Sequence, residues 1–174
     1  MREGSRVFIR PPSRDDWPEL LALHQRSQWF HQPWASLPLT ESECKRYISR
    51  CHCDETFQGW LICHQTHQQI IGVANLSLLV YRLFQRAHLG YYVDIDFAGQ
   101  GFMSAGLQLV LDHAFYQLGV HQIEANIQPD NTASIKLVKR LGFTRQGVSR
   151  RYLKINNDWC DHEHWCLRVE DWAE

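Results

Sequence analysis

Residues 99–104 contain a turn that could bind an anion through backbone groups alone. Gly99 and Gly101 flank Gln100, so two of its first three positions carry no side chain. The preceding segment is apolar and the following one has helical periodicity, which places the turn between a strand and a helix N-terminus. Unpaired N–H groups and the positive end of a helix dipole suit a phosphate or pyrophosphate there. An ordinary tight strand-to-helix connection has the same features, so the turn alone indicates no reaction.

Two common phosphate-binding motifs are excluded. The chain has no Gly-Lys-Ser/Thr at this turn, which a P-loop requires. Gly99, Gly101 and Gly106 also lack the G-x-G-x-x-G spacing of dinucleotide-binding folds. What remains is an anion site that depends on backbone amides.

Cysteine and histidine side chains, which suit zinc, alternate between residues 160 and 166. Cys160, His162, His164 and Cys166 would share one face of a strand. Four such positions extend over ~20 Å, which is too far to close one tetrahedral site. The other groups lack a ligand spacing as well; they are Cys44, Cys51-His52-Cys53 and Cys63-His64. We therefore expect no metal.

The elements around the glycine turn form the centre of the predicted fold. Residues 89–95 are apolar and aromatic enough for a buried strand. After the turn, one helix face collects the apolar residues Leu107, Val110, Leu111, Ala114 and Leu118. Gly119 ends this helix, because glycine readily adopts the left-handed conformation that a helix C-terminus needs.

Upstream, the sequence predicts one strand, two helices and an antiparallel strand pair. Ser13 with Asp16, and Thr40 with Glu43, have the spacing of helix capping boxes, and the second helix is expected to reach about Arg50. Residues 29–34 are predicted to form an aromatic loop between the two helices. The strands are expected at residues 6–10, 58–64 and 69–80.

Downstream, a strand at residues 121–128 has Glu124 and Asn126 on its polar face. A short helix is expected from Asn131 to the pair Leu141-Gly142, followed by strands at 143–155 and 159–169 with a turn at 156–158. Residues 1–174 are thus predicted to be a single α/β domain. Its mixed, mostly antiparallel sheet would have about seven strands and about four helices.

Composition narrows the functional class. The formal net charge of −1 argues against binding nucleic acid by bulk electrostatics. No apolar run approaches the ~20 residues of a membrane span, and the first residues lack the apolar segment of a signal peptide. Six cysteines without a framework spacing suggest reduced thiols, so a cytoplasmic location is expected.

The order of these elements, with the motifs they carry, resembles the GNAT-type N-acetyltransferases. Within that family it is most similar to the ribosomal-protein-alanine acetyltransferases of the RimJ/RimL kind. Each motif is weak alone, but together they follow the family's order over nearly the whole chain. They are Gln32-Pro33-Trp34, Leu89-Gly90-Tyr91, Gly99-Gln100-Gly101, Pro129-x-Asn131-x-x-Ser134, Leu141-Gly142-Phe143, and Tyr152-Leu153 with Trp159-Cys160-Asp161-His162.

The resemblance implies that acetyl-CoA is the acetyl donor. Its pantetheine would pair with the backbone of three strand residues, Tyr91, Tyr92 and Val93. Its pyrophosphate would lie on the turn formed by Gly99, Gln100, Gly101, Phe102, Met103 and Ser104, which agrees with the anion site inferred from the residues. Asn131 would contact the cofactor, and as a helix N-cap it could serve both purposes.

Four positions depart from the family pattern. The pyrophosphate motif usually begins with Gln or Arg and ends with a small residue, but here these positions are Ala98 and Met103. In many GNAT enzymes a Tyr on the short helix protonates the leaving thiolate, and that position is Val138 here. RimL-like proteins tend to have an acid just before the tail Tyr, where this chain has Arg151.

Two residues are candidates for proton transfer. Attack of an amine on a thioester needs a neutral amine and a proton for the departing thiolate. Glu124, on the polar side of its strand, could take the amine proton through water, or could be an ordinary solvated carboxylate. Ser134 matches a RimL-like Ser and could protonate the thiolate, or could serve only as a cap in the first turn.

The acceptor is predicted from the loops expected around the cleft. Residues 29–39 and 150–157 contain no Asp or Glu. A polyamine site would need several carboxylates, whereas Trp29, Trp34 and Tyr152 suit an extended peptide that stacks on aromatic rings. Packing between helices is the alternative for the tryptophans. Glu41 or Glu55 could still fold over the site.

We therefore expect an N-acetyltransferase that acts on the α-amine of a protein or peptide N-terminus, such as that of a ribosomal protein. It would work as a monomer or homodimer, without direct contact with membranes or nucleic acid. Two alternatives stay open. One is acetylation of a small amine, such as a polyamine or an antibiotic. The other is a non-catalytic acetyl-CoA-binding domain, which the changes at Ala98, Val138 and Arg151 would fit.

Overall fold

The computed structural model describes residues 6–172, in which seven strands form one sheet. The strands are β1 (Val7–Arg10), β2 (Gln58–His64), β3 (Ile70–Val80), β4 (Arg86–Val93), β5 (Gln122–Ile127), β6 (Thr144–Ile155) and β7 (Asp158–Arg168). They lie in the order β1-β2-β3-β4-β5-β7-β6. Every neighbouring pair is antiparallel except β4 with β5. The predicted mixed, mostly antiparallel sheet is confirmed.

The four predicted helices are also present. The helices are α1 (Trp17–His31), α2 (Glu41–Cys53), α3 (Phe102–Tyr116), α4 (Thr132–Arg140) and a single C-terminal turn, α5 (Val169–Trp172). Both halves of the capping box between Thr40 and Glu43 form at the start of α2. Asn131 begins α4, where its side chain accepts a hydrogen bond from the Ser134 N–H at 3.2 Å.

Two apolar layers enclose the sheet, α3 with α4 on one face and α1 with α2 on the other. Because successive side chains of a strand point to opposite faces, β2 contributes to both layers. Trp60 and Ile62 pack with α3, whereas Leu61 and Cys63 pack with α1 and α2. This explains why β2 is apolar at consecutive positions and does not alternate.

The parallel pairing of β4 with β5 is short and sets the position of the functional site. It joins only Arg86, Ala87 and His88 to Gln122, Ile123 and Glu124. Beyond the last pair the two strands separate, although β4 remains paired with β3 up to Val93. A gap therefore opens in the centre of the sheet, where a ligand can reach the backbone edge of β4.

Three predicted boundaries were wrong. β4 begins at Arg86 and ends at Val93, and Ile95 lies in a short 3-10 turn that the Asp94 side chain caps. Helix α1 continues through Trp29 and Phe30 to His31, because the buried His31 ring contacts the sheet, and the loop begins only at Gln32. Helix α2 extends to Cys53.

The β6–β7 turn has two residues, whereas the sequence predicted three. Asn156 and Asn157 both adopt positive φ values, 49° and 72°. This is the geometry of a tight hairpin, which asparagine tolerates. Asp158 therefore belongs to β7 and pairs with Ile155.

Between residues 6 and 172, no helix is both long enough and apolar enough to cross a bilayer.

Candidate active site in the gap between β4 and β5

A cavity of about 530 Å³ occupies the gap. Residues 89–93 of β4 line one side, and residues 125–127 of β5 with the following Gln128 line the other. The glycine turn, one face of α4 from its first to its last residue, and the end of α1 complete the walls. The cavity is thus bounded by elements that are far apart in sequence.

The glycine turn has the conformation that its sequence predicts. Gly99 and Gly101 have φ values of +73° and +83°, and an added Cβ at either would meet no atom within 4 Å. Gly101 is the N-cap of α3, and the first intrahelical bond runs from the Ala105 N–H to its carbonyl at 3.2 Å. The preceding N–H groups of α3 have no acceptor within the helix, so the turn can offer them to an anion.

Three basic residues at the turn or on the cavity wall were not predicted. Arg6 donates to the Gln100 carbonyl at 3.0 Å and lies over the Phe102 ring. Lys136 and Arg140 of α4 line the cavity. Their spacing of four residues puts both cations on one helix face, and that signal was present in the sequence.

The backbone edge of β4 faces the cavity beyond His88. The Asp94 N–H donates to the Ile71 carbonyl of β3, so by alternation the polar groups of Val93 and Tyr91 point away from β3. His31 donates to the Val93 carbonyl at 2.6 Å. Burial lowers the pKa of His31, so the ring that walls this edge is neutral.

Ser134 and Tyr91 form a partly buried hydroxyl pair at the cavity wall. Their oxygens lie 2.5 Å apart, and both residues line the cavity. The cap of α4 is supplied by Asn131, so the Ser134 hydroxyl is not used for capping. Burial raises the pKa of Tyr91 to about 12, so its phenol stays protonated. The sequence singled out Tyr91 only for its backbone and missed this side-chain role.

A protein-family comparison decides the class. The model of the acetyltransferase (GNAT) domain matches residues 6–144. The chain belongs to the GNAT acetyltransferase family. The resemblance inferred from the sequence motifs is therefore confirmed.

Two curated relatives cover nearly the whole chain. A probable N-acetyltransferase of Bacillus subtilis, YjcK, is 30% identical over 94% of this chain and 94% of its own length. The [ribosomal protein uS5]-alanine N-acetyltransferase of Escherichia coli is 30% identical over 92% of this chain and 86% of its own. The chain is thus an N-acetyltransferase by family, with a ribosomal-protein enzyme among its relatives.

Solved structures share the fold at lower sequence identity. Mycobacterium smegmatis RimJ in complex with CoA-disulfide has a TM-score of 0.90 and 22% identity, covering 97% of this chain and 84% of RimJ. Spermidine N-acetyltransferase from Vibrio cholerae, in complex with CoA and spermine, has a TM-score of 0.84 and 17% identity, covering 98% and 100%. The fold therefore does not distinguish peptide from polyamine acceptors.

The structure shows the surroundings of two residues that depart from the GNAT pattern, Val138 and Arg151. Val138 is fully buried in the core on the α3 side, one turn beyond Ser134. The phenol of Tyr91, a residue of β4, contacts Ser134 in the first turn of α4. Arg151 is exposed with φ +49°, and its N–H donates to Asp161.

Glu124, the candidate base, is not among the residues that line the cavity. Its carboxylate is 3.4 Å from Arg86 and accepts from Gln122 at 2.8 Å. The His88 ring faces it at 3.6 Å. Any effect of Glu124 on the cavity therefore passes through other groups.

Hydrogen bonds hold the loop that follows α1, from Gln32 onward, at one end of the gap. The Gln128 side chain donates to the Pro33 carbonyl at 3.0 Å, and Asn156 donates to the Gln32 carbonyl at 2.5 Å. Ser36 donates to Asn156 at 2.7 Å. These bonds connect the loop to the residue that follows β5 and to the β6–β7 turn, so the loop forms a wall of the cavity.

The predicted acceptor residues have three different environments. Trp34 lines the cavity together with Phe30, which the sequence did not single out. Trp29 is 75% exposed and does not line it. The Tyr152 ring packs edge-on against His164, with ring centroids 4.7 Å apart.

The charge of the cavity wall is mainly positive. Among the described residues that line it, Asp130 is the only carboxylate, beside the cations Lys136 and Arg140. Glu41 pairs with Lys45 on α2, and Glu55 lines a different cavity. Within residues 6–172, no cluster of three or more His, Cys, Asp or Glu side chains could hold a metal ion.

Proposed function

We propose that this GNAT acetyltransferase transfers the acetyl group of acetyl-CoA to the α-amine of a peptide or protein N-terminus. The observation that carries the proposal is the cavity wall, where Asp130 is the only carboxylate among the described residues. A polyamine carries several positive charges and needs several carboxylates to balance them. A peptide α-amine carries one charge, and its chain can pair through its backbone and stack on Trp34 and Phe30.

Charge outside the cavity supports the same acceptor. Three cations are exposed on β6: Arg150, Arg151 and Lys154. This strand leads to the β6–β7 turn, which is hydrogen-bonded to the loop after α1. These cations would repel a spermidine-like ligand and attract an acidic peptide or a carboxylate. The Escherichia coli relative, named for alanine of ribosomal protein uS5, is consistent with this proposal.

For acetyl-CoA, the structure supplies groups of matching chemistry. The N–H groups of residues 102–104 suit the pyrophosphate, and Lys136 and Arg140 can pair with phosphate charge. The edge of β4 that β5 leaves unpaired, with the backbone groups of Tyr91 and the N–H of Val93, suits the amides of pantetheine. Asn131 lines the cavity beside them, although its side-chain oxygen already caps α4.

We assign Ser134 the role of proton donor to the leaving thiolate, with Tyr91 behind it. When Ser134 gives up its proton, the Tyr91 phenol can donate to the serine oxygen across 2.5 Å. Glu124 acts on the amine proton only indirectly, because its carboxylate faces Arg86 and His88 and does not line the cavity. All six cysteines are free, which supports a reducing compartment such as the cytosol.

The proposal is tested with acceptor amines at equal concentration. We expect a peptide that begins with Ala to be acetylated faster than spermidine or free lysine, with release of free CoA thiol as the readout. Faster turnover of spermidine would overturn the peptide assignment. If acetyl-CoA binds but no amine releases thiol, the chain is a binding domain and not an enzyme.

A further inference from the structure

Four polar side chains form a hydrogen-bonded chain across the strands that border the gap. Asn126 Nδ2 is 2.9 Å from His88 Nδ1, and Asn126 Oδ1 is 2.6 Å from His164 Nδ1. His164 Nε2 lies 2.7 Å from the Ser149 hydroxyl. The other nitrogen of His88 faces the Glu124 carboxylate at 3.6 Å. The chain therefore connects β4, β5, β7 and β6 on the face that carries α1 and α2.

Glu124 faces His88 Nε2 and favours the proton on that nitrogen, and this sets the orientation of the Asn126 amide. Its nitrogen only donates, so His88 Nδ1 accepts and the His88 proton is on Nε2, facing Glu124. Its oxygen only accepts, so His164 Nδ1 carries the proton and Nε2 accepts from Ser149. A rotation of the amide by half a turn would require the other tautomer of each histidine, which would remove the His88 Nε2 proton that faces Glu124. The histidines thus hold Asn126 in one orientation.

His88 is suited to hold this orientation at neutral pH. Burial lowers the pKa of His88, although Glu124 opposes the shift, so its Nδ1 lone pair is available to Asn126. The titratable groups that face His88 are Arg86 on its own strand, Glu124 on β5 and His164 on β7.

Asn126 lies where its amide can reach a ligand in the cavity. His88 and Glu124 are the last pair of the parallel ladder, and Asn126 follows two residues later on β5. Its bond to His88 therefore bridges the closed end of the gap, and Asn126 lines the cavity there. An amide nitrogen has two protons, and His88 takes only one. The second is available to a ligand in the cavity.

We propose that Asn126 is a catalytic residue of the acetyl transfer, whose second Nδ2–H donates to the acetyl carbonyl oxygen as negative charge develops there. His88 and His164 are positioning residues that hold its amide. This inference rests on the acetyl transfer proposed above but not on the identity of the acceptor amine.

The chemistry explains where the hydrogen bond acts. The neutral amine nitrogen attacks the thioester carbon, a C–N bond forms, and the carbonyl π electrons move onto oxygen. When they return, the C–S bond breaks, the thiolate takes one proton and the nitrogen gives up one. Asn126 exchanges no proton; it stabilises the oxygen while it is negative. One such preorganised donor typically contributes on the order of 10²-fold to kcat.

The first test separates turnover from binding. In Asn126→Ala and Asn126→Asp, we expect kcat to fall by about 10²-fold. The KM for the amine and the dissociation constant of acetyl-CoA should change by less than about threefold, because the bond strengthens only in the transition state. His121→Gln, at a partly exposed histidine that directly precedes β5 and does not line the cavity, is the control. A folded Asn126→Ala variant with kcat within threefold of the parent would overturn the proposal.

The positioning role is tested by paired substitutions at the two histidines. The glutamine in His88→Gln can still accept from Asn126, and the one in His164→Gln can still donate to it, so both variants should keep most of the activity. His88→Leu and His164→Leu should lower kcat by about tenfold or more, since they free the amide. Equal effects of Gln and Leu at both sites would contradict the positioning role.

A measurement without turnover distinguishes the two proposals. The side-chain ¹⁵N–¹H signals of Asn126 are compared by NMR with CoA and with acetyl-CoA bound. We expect acetyl-CoA to shift one proton downfield relative to CoA, since only acetyl-CoA has the carbonyl. Identical spectra would overturn the role of Asn126 alone. Failure of acetyl-CoA to bind would overturn the proposed function itself.

Discussion

At the scale of single residues, Ser134 and Tyr91 form the part of the cavity best suited to protonate a leaving thiolate. A serine hydroxyl is a weak acid, but a second hydroxyl at 2.5 Å can stabilise its oxygen as the proton departs. The raised pKa of Tyr91 keeps that second proton in place over the working pH range. The two residues therefore act as a unit.

Substitution of either hydroxyl should lower turnover without weakening cofactor binding. We expect Ser134→Ala to reduce kcat by on the order of 10²-fold, the contribution of a positioned acid. Tyr91→Phe should reduce it by a smaller factor, because Ser134 remains. The measurement is thiol release at saturating acetyl-CoA, with calorimetric affinity beside it. Tyr116→Phe, at an exposed tyrosine on α3, is the control, and an effect within threefold at Ser134 would leave it without a proton-transfer role.

At the scale of elements, the glycine turn orients the N-terminus of helix α3. The positive φ of Gly101 directs the chain so that α3 starts at the cavity and its first N–H groups face outward from the helix. A residue with a β-branched side chain is strained at this φ by roughly 1–3 kcal/mol. Relief of the strain would rotate these N–H groups away from an anion.

Gly101→Val should therefore weaken acetyl-CoA binding while the protein stays folded. We expect an affinity loss of about tenfold or more, because an added Cβ meets no neighbour and the cost falls on the turn itself. Calorimetry of acetyl-CoA binding is the measurement. Gly119→Val is a matched control, with φ +67° and the same open space but outside the cavity. Equal affinity of both variants would show that the turn at Gly101 does not hold the phosphates.

At the scale of the whole molecule, α1 is held against β4 by buried polar contacts that also shape the cavity. His24 contacts the Tyr92 hydroxyl at 2.8 Å and the Pro38 carbonyl at 2.7 Å. Arg26 forms a bidentate ion pair with Asp94, which is fully buried. Folding thus couples the position of α1 to the protonation state of His24.

This coupling predicts a loss of stability at acidic pH. Burial lowers the pKa of His24 to about 4 from 6.5. Below pH 6.5 the unfolded chain binds a proton that the folded chain does not, so the free energy of unfolding decreases as pH falls from 6.5 towards 4. We expect a decrease of about 2 kcal/mol from this group between pH 7 and pH 5.

Urea unfolding at the two pH values measures this decrease. His24→Gln should show a smaller decrease than the parent, because the titrating ring is gone. NMR titration of His24 in the folded state provides the direct value of its pKa. Equal stability of the parent protein at pH 7 and pH 5 would contradict the prediction.

Most of the helices and strands could be predicted from the sequence, because they depend on interactions between residues that are close in sequence. The capping box at Thr40, the N-cap at Asn131, the left-handed glycines at 99 and 101, and the alternating burial of β5 depend on neighbours close in sequence. These local patterns predicted the element order and the sheet, and the motifs predicted the family. The boundary of α1 was wrong because a contact with distant Val93 extends the helix to His31.

The sequence by itself determined the fold class, the family and the turn that begins α3, since each depends on residues within one element or on an ordered set of motifs. The tertiary structure alone decided which side chains meet. The pairs Tyr91 with Ser134, Asn126 with His88, and Asn126 with His164 are separated by about forty residues. No spacing rule links such positions, because strand pairing and the separation of β4 from β5 bring them together.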